Sequence, residues 1–462
     1  MTAGSGGRPR SLPVSPWETS QATAGLFPTV AGGPYALVDQ HSFGVLHEEL
    51  GLGTFETHLA TAVGGAAPRS GTFFDSRLGF ALRRWCPPLL GLEPHCSPAR
   101  YLARRRELGA FAAGRTLLRG SGIGCFLVDT ATPPDPVPAP VPVPASTPDR
   151  HGLTSPDELA AAASATAREV VCLETLAAQV ADTSGSVRSF VANTAEALHS
   201  AAREAVAFTC DAGFHEARAP VLAEVQRAAT RWLRARAERQ NGARRHGPHA
   251  RLADYGNYGG HGAYGSRTGD TDRSRSRPAV AAVPLPRAGG PGWDGECGTA
   301  HHALRTEPAL VRHLLWSALV TGRPVRLRCG DPAPLEGFLR ASSGLGTEVV
   351  LLARRPHHRA AARLAAAFPH TYADAGPRPA ETLYEAPFGK LLFSSEARAL
   401  PELYVVRARA FAGELERLLG EWVGEGFCTR TDAVRIARQL AGGTARRVYG
   451  LDEADGPDVA TG

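Results

Sequence analysis

The stretch 304–331, LRTEPALVRHLLWSALVTGRPVRLRCGD, decides the fold class. Leu310, Leu314, Leu315, Ala318 and Leu319 fall at helical spacing, Gly322 stops the helix, and Pro324 to Cys329 alternates as a strand. After the helical PAPLEGFLRASSG (332–344) comes a second strand, Glu348 to Leu352. This helix–strand–helix–strand order belongs to an α/β layer, so the chain is expected to be an α/β protein.

Downstream, Arg359 to Phe368 has the spacing of a helix, while Thr382–Tyr384 and Gly389–Phe393 look like strands. Ala399 to Glu425 is amphipathic, with Leu403, Val406, Phe411, Leu415, Leu418 and Trp422 on one stripe, and Thr431 to Leu440 forms a last helix. These elements make one domain over 299–450, followed by an acidic tail at 451–462. Upstream, a smaller α/β domain is expected over 25–130. Its strands are Tyr35–Val38, Gly71–Phe74 and Cys125–Val128, and its helices are Phe43–Leu59 and Ser97–Arg119. Residues 1–24 read as a disordered leader with no apolar signal core.

Three segments lie between these domains. PPDPVPAPVPVPASTP (133–148), within a linker over 131–153, can form neither helix nor central strand, because each proline lacks an N–H and fixes φ. Residues 154–240 read as packed helices, begun by Thr154-Ser155-Pro156-Asp157-Glu158 and striped by Leu173, Leu176, Phe190 and Leu198. Residues 241–298 are a low-complexity linker with too little aliphatic surface to offset the entropy of ordering. Within it, Tyr255, Tyr258 and Tyr264 alternate with arginines such as Arg267 and Arg273, a pattern able to stack on single-stranded RNA. A weak RNA contact through 244–277 is therefore one candidate, with a plain linker as the simpler account.

Composition narrows the classes. Lys390 is the single lysine against an abundance of arginine, and Ile occurs only at Ile123 and Ile436, as a GC-rich gene would dictate. Arginine abundance and a net charge of +6 therefore say little about nucleic acid. No run is apolar for long enough to cross a bilayer. The eight cysteines show no CxxC spacing, which argues against a zinc site or a disulfide framework and for a reduced, intracellular chain.

The chain carries no metalloprotease helix, Walker loop, nucleophile elbow or calcium loop. Gly120 to Gly124 precedes a strand, so it reads as a turn and not as a phosphate cradle. The tandem pairs His301-His302 and His357-His358 are poorly placed to converge on one metal, and Glu48-Glu49, Glu414 and Glu416 read as solvated helix faces. No cofactor or metal is expected. In FFDSRLGFALRRWCPPLL (73–90), Arg83 and Arg84 sit beside Trp85 at the edge of a strand-like run. An outward arginine there could neutralise phosphate charge in phosphoryl transfer, although a surface pair in an arginine-rich chain is the simpler account.

Two stretches resemble the longin–DENN family of the folliculin type: HLLWSALVTGRPVRLRCGD (313–331) and DSRLGFALRRWCPPLL (75–90). The resemblance implies a longin-like domain at 25–130 and a DENN-like domain at 299–450. It also implies regulation of a small GTPase, with Arg84 as the catalytic finger and a second longin–DENN protein as partner. The location it implies is cytoplasmic, peripheral on lysosomal or vesicle membranes. A second class fits the same composition: a non-enzymatic, tegument-like assembly protein of a GC-rich large DNA virus. Whether the chain is an enzyme stays open from sequence alone.

Overall fold

The computed structural model describes residues 36–63, 71–130, 153–213, 216–245, 304, 306–376 and 378–451. Its eight strands are β1 Leu37–Ser42, β2 Ile123–Asp129, β3 Thr166–Cys172, β4 Ala207–Asp211, β5 Val325–Cys329, β6 Val349–Ala353, β7 Thr371–Asp374 and β8 Leu391–Leu392. They form one sheet in sequence order, and every neighbouring pair is parallel. The chain beyond β8 returns to β1. Gln40 N–H donates to Phe393 O (3.0 Å), Glu396 N–H to His41 O (2.8 Å), and Phe43 N–H to Ala397 O (3.0 Å). The sheet is thereby closed.

Helices separate the strands. Between β1 and β2 lie α1 Leu52–Ala62, α2 Arg77–Leu89, α3 Pro98–Leu108 and α4 Ala110–Arg119. α5 Pro156–Ala163 leads to β3; α6 Leu173–Thr183 and α7 Val187–Glu204 lead to β4; α8 Leu222–Arg245 and α9 Pro308–Val320 lead to β5. Next come α10 Glu336–Ser342, α11 His358–Ala367 and α12 Pro379–Leu383, each before the next strand. α13 Pro401–Gly424, α14 Arg430–Arg438 and α15 Thr444–Tyr449 follow β8. Eight parallel strands with helical crossovers make a (β/α)8 barrel.

Strand alternation divides the core in two. Val325, Leu327 and Cys329, with Val349 and Leu351, belong to the large cluster shared with the helices. Val38, Cys125, Leu127, Val170, Ala207, Val350, Leu352, Tyr372 and Leu392 form a second, smaller cluster, which fills the barrel. Because side chains alternate, Arg326 and Arg328 turn inward, between outward-facing neighbours. Ala445, Val448, Tyr449 and Leu451 join the inner cluster and make its floor. A Cβ on Gly442 would stand 2.8 Å from Val38 Cγ2, so only glycine lets the chain pass this close beneath β1.

The sheet overturns the expected division into a longin-like and a DENN-like domain. β1 and β2, from the N-terminal segment, share one sheet with β5 to β8, from the C-terminal segment. The supposedly all-helical middle supplies the joining strands, β3 (TAREVVC) and β4 (AFTCD). The quoted unit keeps its elements, α9, β5, α10 and β6, but as one arc of a barrel. The 75–90 stretch is a helix and not a strand edge. Ser76 caps α2 by accepting from Gly79 N–H at 3.1 Å, and Pro87 and Pro88 lie inside its last turns. Pro87 has no N–H to give Arg83 O, and His95 N–H takes that carbonyl instead, at 2.6 Å.

Smaller differences have local causes. Gly109, at φ 80°, breaks the expected helix 97–119 into α3 and α4. Thr382-Leu383 ends a helix, α12, and Phe73–Asp75 is a single 3-10 turn. The leader, the proline-rich segment, most of 244–277, His301-His302 and the acidic tail past residue 451 lie outside the described residues. No helix among the described residues is long and apolar enough to cross a membrane.

Candidate active site

The carboxyl ends of the strands gather the buried polar residues. Three strands end on an aspartate, Asp129 in β2, Asp211 in β4 and Asp374 in β7, while β1 carries Asp39 at its third position and His41 at its fifth of six. In (β/α)8 enzymes this is the end where active sites sit, because the βα loops converge there.

One half of this mouth is organised by β5. Arg328 donates from Nε to Asp211 Oδ1 and from a terminal nitrogen to Asp129 Oδ2, both at 2.9 Å. Its other terminal nitrogen lies 3.7 Å from Cys172 Sγ. Burial works to lower the Arg328 pKa, but Asp129 and Asp211 outweigh it and hold the guanidinium as a cation. Arg326, wholly buried, donates to Gln40 O and stands 3.4 Å from Asp129 Oδ2. Glu174, at the start of α6, accepts from Asp211 N–H at 2.6 Å and from the Cys172 thiol at 3.1 Å. Burial, then the Glu174 carboxylate, push that thiol well above its ordinary range, so it acts as a protonated donor and not as a nucleophile.

The other half lies where the barrel closes. Asp39 Oδ1 accepts from Ser395 N–H at 2.8 Å and from His41 N–H at 3.3 Å, and Asp39 Oδ2 accepts from the Ser395 hydroxyl. Burial outweighs these bonds and pushes the Asp39 carboxyl up to about 7. Asp374 is pushed up to about 8, by burial first and then by Glu396. His41 is held well below 6.5 by burial and by the positive charges of Arg326, Arg328 and Arg407, so it stays neutral. His41 Nδ1, Asp374 Oδ1, Gln40 Nε2 and Thr209 Oγ1 are buried without a hydrogen-bond partner. Asp374, a carboxyl that keeps its proton near neutrality, and His41, an imidazole that does not take one, separate acid from base, while Asp39 lies on the helix side of β1.

Arg84, the expected finger, is exposed on α2 with its guanidinium carbon 5.6 Å from the Trp85 ring centroid, and it takes no part in this cluster. None of the residues at the mouth stood out in the sequence. The available signal was the repeated apolar-run-then-aspartate pattern: LVD (37–39), FLVD (126–129), TCD (209–211) and YAD (372–374).

No family model and no curated protein sequence matches the chain. Solved structures do. A protein of Lactobacillus casei classed as a metal-dependent hydrolase superposes with a TM-score of 0.62 at 15% identity, covering 91% of this chain and 96% of its own. Glucuronate isomerase of Caulobacter crescentus gives 0.55 at 11% identity, covering 94% of each chain. Uronate isomerase of Bacillus halodurans gives 0.53 at 10%, covering 94% of this chain and 98% of its own. At these identities the likeness establishes the fold. It also replaces the longin–DENN resemblance and the tegument-like reading: these neighbours are hydrolase and isomerase barrels, whereas the GTPase-regulator reading rested on two short stretches that are a helix–strand joint and an outer helix, and the tegument-like reading on composition.

The metal named for the first neighbour does not suit these residues. A catalytic divalent ion needs about three protein donors converging on one point. Among the described residues no group of three His, Cys, Asp or Glu side chains does so. Asp129 and Asp211 turn their oxygens to Arg328, and Asp39 turns both of its oxygens to Ser395.

Proposed function

We propose that the chain is a small-molecule enzyme that moves protons at the barrel mouth, with a proton-shift isomerisation of a small polyhydroxy carbonyl acid as its reaction class. The supporting observation is the separation of proton affinities there: Asp374 at about 8 and His41 well below 6.5. Neutral His41, with a free ring nitrogen, has the form of a general base, and protonated Asp374 that of a general acid. Such a pair takes a proton from the carbon beside a carbonyl and returns one to the neighbouring oxygen or carbon. Arg326 and Arg328 offset the Asp129, Asp211 and Glu174 carboxylates, so the mouth is not left strongly anionic. The uronate isomerases among the fold neighbours act on sugar acids, in line with this substrate class.

The test is incubation of the purified chain with a panel of uronates in heavy water, following deuterium uptake and ketose formation by NMR. Exchange lost in His41→Ala and in Asp374→Asn, with both variants folded, is the expected result. Turnover of ester or amide substrates without exchange would move the assignment to hydrolysis. Exchange that survives both substitutions would remove these residues from the chemistry.

A further inference from the structure

We infer that Arg328 is the resident cation of the barrel mouth, a side-chain replacement for a bound metal ion. Its guanidinium lies among donors brought from three neighbouring strands and a helix start: Asp129 of β2, Cys172 of β3, Asp211 of β4, and Glu174 through Cys172 and the Asp211 amide. Unpaired, three carboxylates this close in a largely buried space would repel one another and require either protonation or a counter-cation. Arg328 supplies the charge from within the chain, and its side chain is only 13% exposed. Arg326 adds a second positive group 3.4 Å from Asp129. A divalent ion entering the same cage would meet the guanidinium at contact distance and would have to displace it from both aspartates. A planar fork can satisfy two carboxylates in fixed directions, which a lysine ammonium, as a point charge, does less well. The barrel is therefore built to stand without metal, in contrast to the metal dependence named for the hydrolase neighbour.

The test reads metal content and thermal unfolding, not activity, so it stands apart from the isomerase assignment. The full chain, purified without metal supplements, is expected to carry no stoichiometric divalent metal by elemental analysis. Its unfolding temperature is expected to be the same with EDTA, with added Zn²⁺ and with added Mn²⁺. Arg328→Ala is expected to unfold several degrees lower, and to recover part of that loss when Zn²⁺ or Mn²⁺ is added. Arg328→Lys, which keeps the charge, is expected to lie between the two and to ignore metal. A wild-type chain that holds a stoichiometric divalent ion, or that loses stability in EDTA, would overturn the inference. So would an Arg328→Ala variant as stable as wild type. If Arg328→Ala does not fold, the wild-type EDTA measurement and Arg328→Lys decide the matter.

Discussion

The Tyr101 hydroxyl donates a 2.7 Å hydrogen bond to Oε1 of Glu402, 301 residues further along the chain, in a fully buried setting. Arg105 Nε lies 3.1 Å from the same oxygen. Together they join α3 to the first turn of α13, on the side where the last helices close over the first ones. Removing the carboxylate strands a buried guanidinium, so Glu402→Ala is expected to cost about 3–5 kcal/mol. Tyr101→Phe removes one hydrogen bond and is expected to cost about 1–3 kcal/mol. Urea unfolding of the two variants checks both the size and the order.

Asp374 also shapes the pH dependence of stability. Its folded pKa, about 8, lies above the ordinary 3.8, so the folded chain holds this proton more tightly than the unfolded chain does. The resulting stabilisation is full below about pH 4 and is lost as pH rises through about 8, by roughly 1.4 kcal/mol per pH unit across that window. Asp374→Asn removes this dependence. Relative to wild type, the variant is expected to gain stability steadily between pH 5 and pH 8, and a flat difference across denaturation curves in that range would contradict the assignment.

Two glycines in helices give opposite expectations. A Cβ on Gly79, in α2, would lie 2.3 Å from Phe73 O and 2.4 Å from Phe74 Cα, which are backbone atoms with no freedom to turn aside. Gly79→Ala is expected to lower stability by about 1–3 kcal/mol through overpacking. Gly413, exposed on α13, has nothing within 4 Å of an added Cβ, and Gly413→Ala is expected to raise stability by about 0.5–1 kcal/mol. Paired thermal melts would show the two shifts with opposite signs.

Arg236 of α8 grips Asp182 of α6 with a fork: Nε to Oδ1 at 3.1 Å, and one terminal nitrogen to Oδ1 and Oδ2 at 2.7 and 2.9 Å. Lysine offers charge without the planar pair of donors. Arg236→Lys is therefore expected to lose about 1 kcal/mol, and Arg236→Ala more, since its buried stem is lost as well. Equal stabilities for the lysine variant and wild type, by denaturant titration, would show that the fork adds nothing beyond its charge.

The sequence revealed the elements whose periodicity ran long enough to be read. α9, β5, β6, α11 and α13 stand where their apolar spacing put them. β3, β4 and β7 were missed. TAREVVC and AFTCD follow alanine-rich helical runs directly, with no glycine or proline to mark where the helix ends and the strand begins, and β7 is only four residues long. With them went the connection between the chain's two halves, and the α/β layer was divided into two domains. The site was hidden differently. Asp39 and His41 share β1, but Arg328 of β5 and Asp374 of β7 join them only when the barrel closes, so no local spacing gathers the set. Arg84 drew attention because it had a conspicuous aromatic neighbour, which the structure shows to be a ring contact on the surface of a helix.

The barrel floor has a consequence for the order in which the chain can be completed. Tyr449 donates to Gln40 Oε1 at 2.8 Å across 409 residues, and Gly442 passes beneath Val38. A chain synthesised from its amino end therefore holds an unclosed sheet until residues 393–397 can bond to β1, and an unplugged one until α15 is free to dock. For nearly the whole of translation, the inner aliphatic residues of β1, β2 and β3 remain without their final partners. Chaperone demand should accordingly peak late in synthesis, and ribosome-bound chains stopped before residue 444 should be more open to protease than chains carried through residue 451.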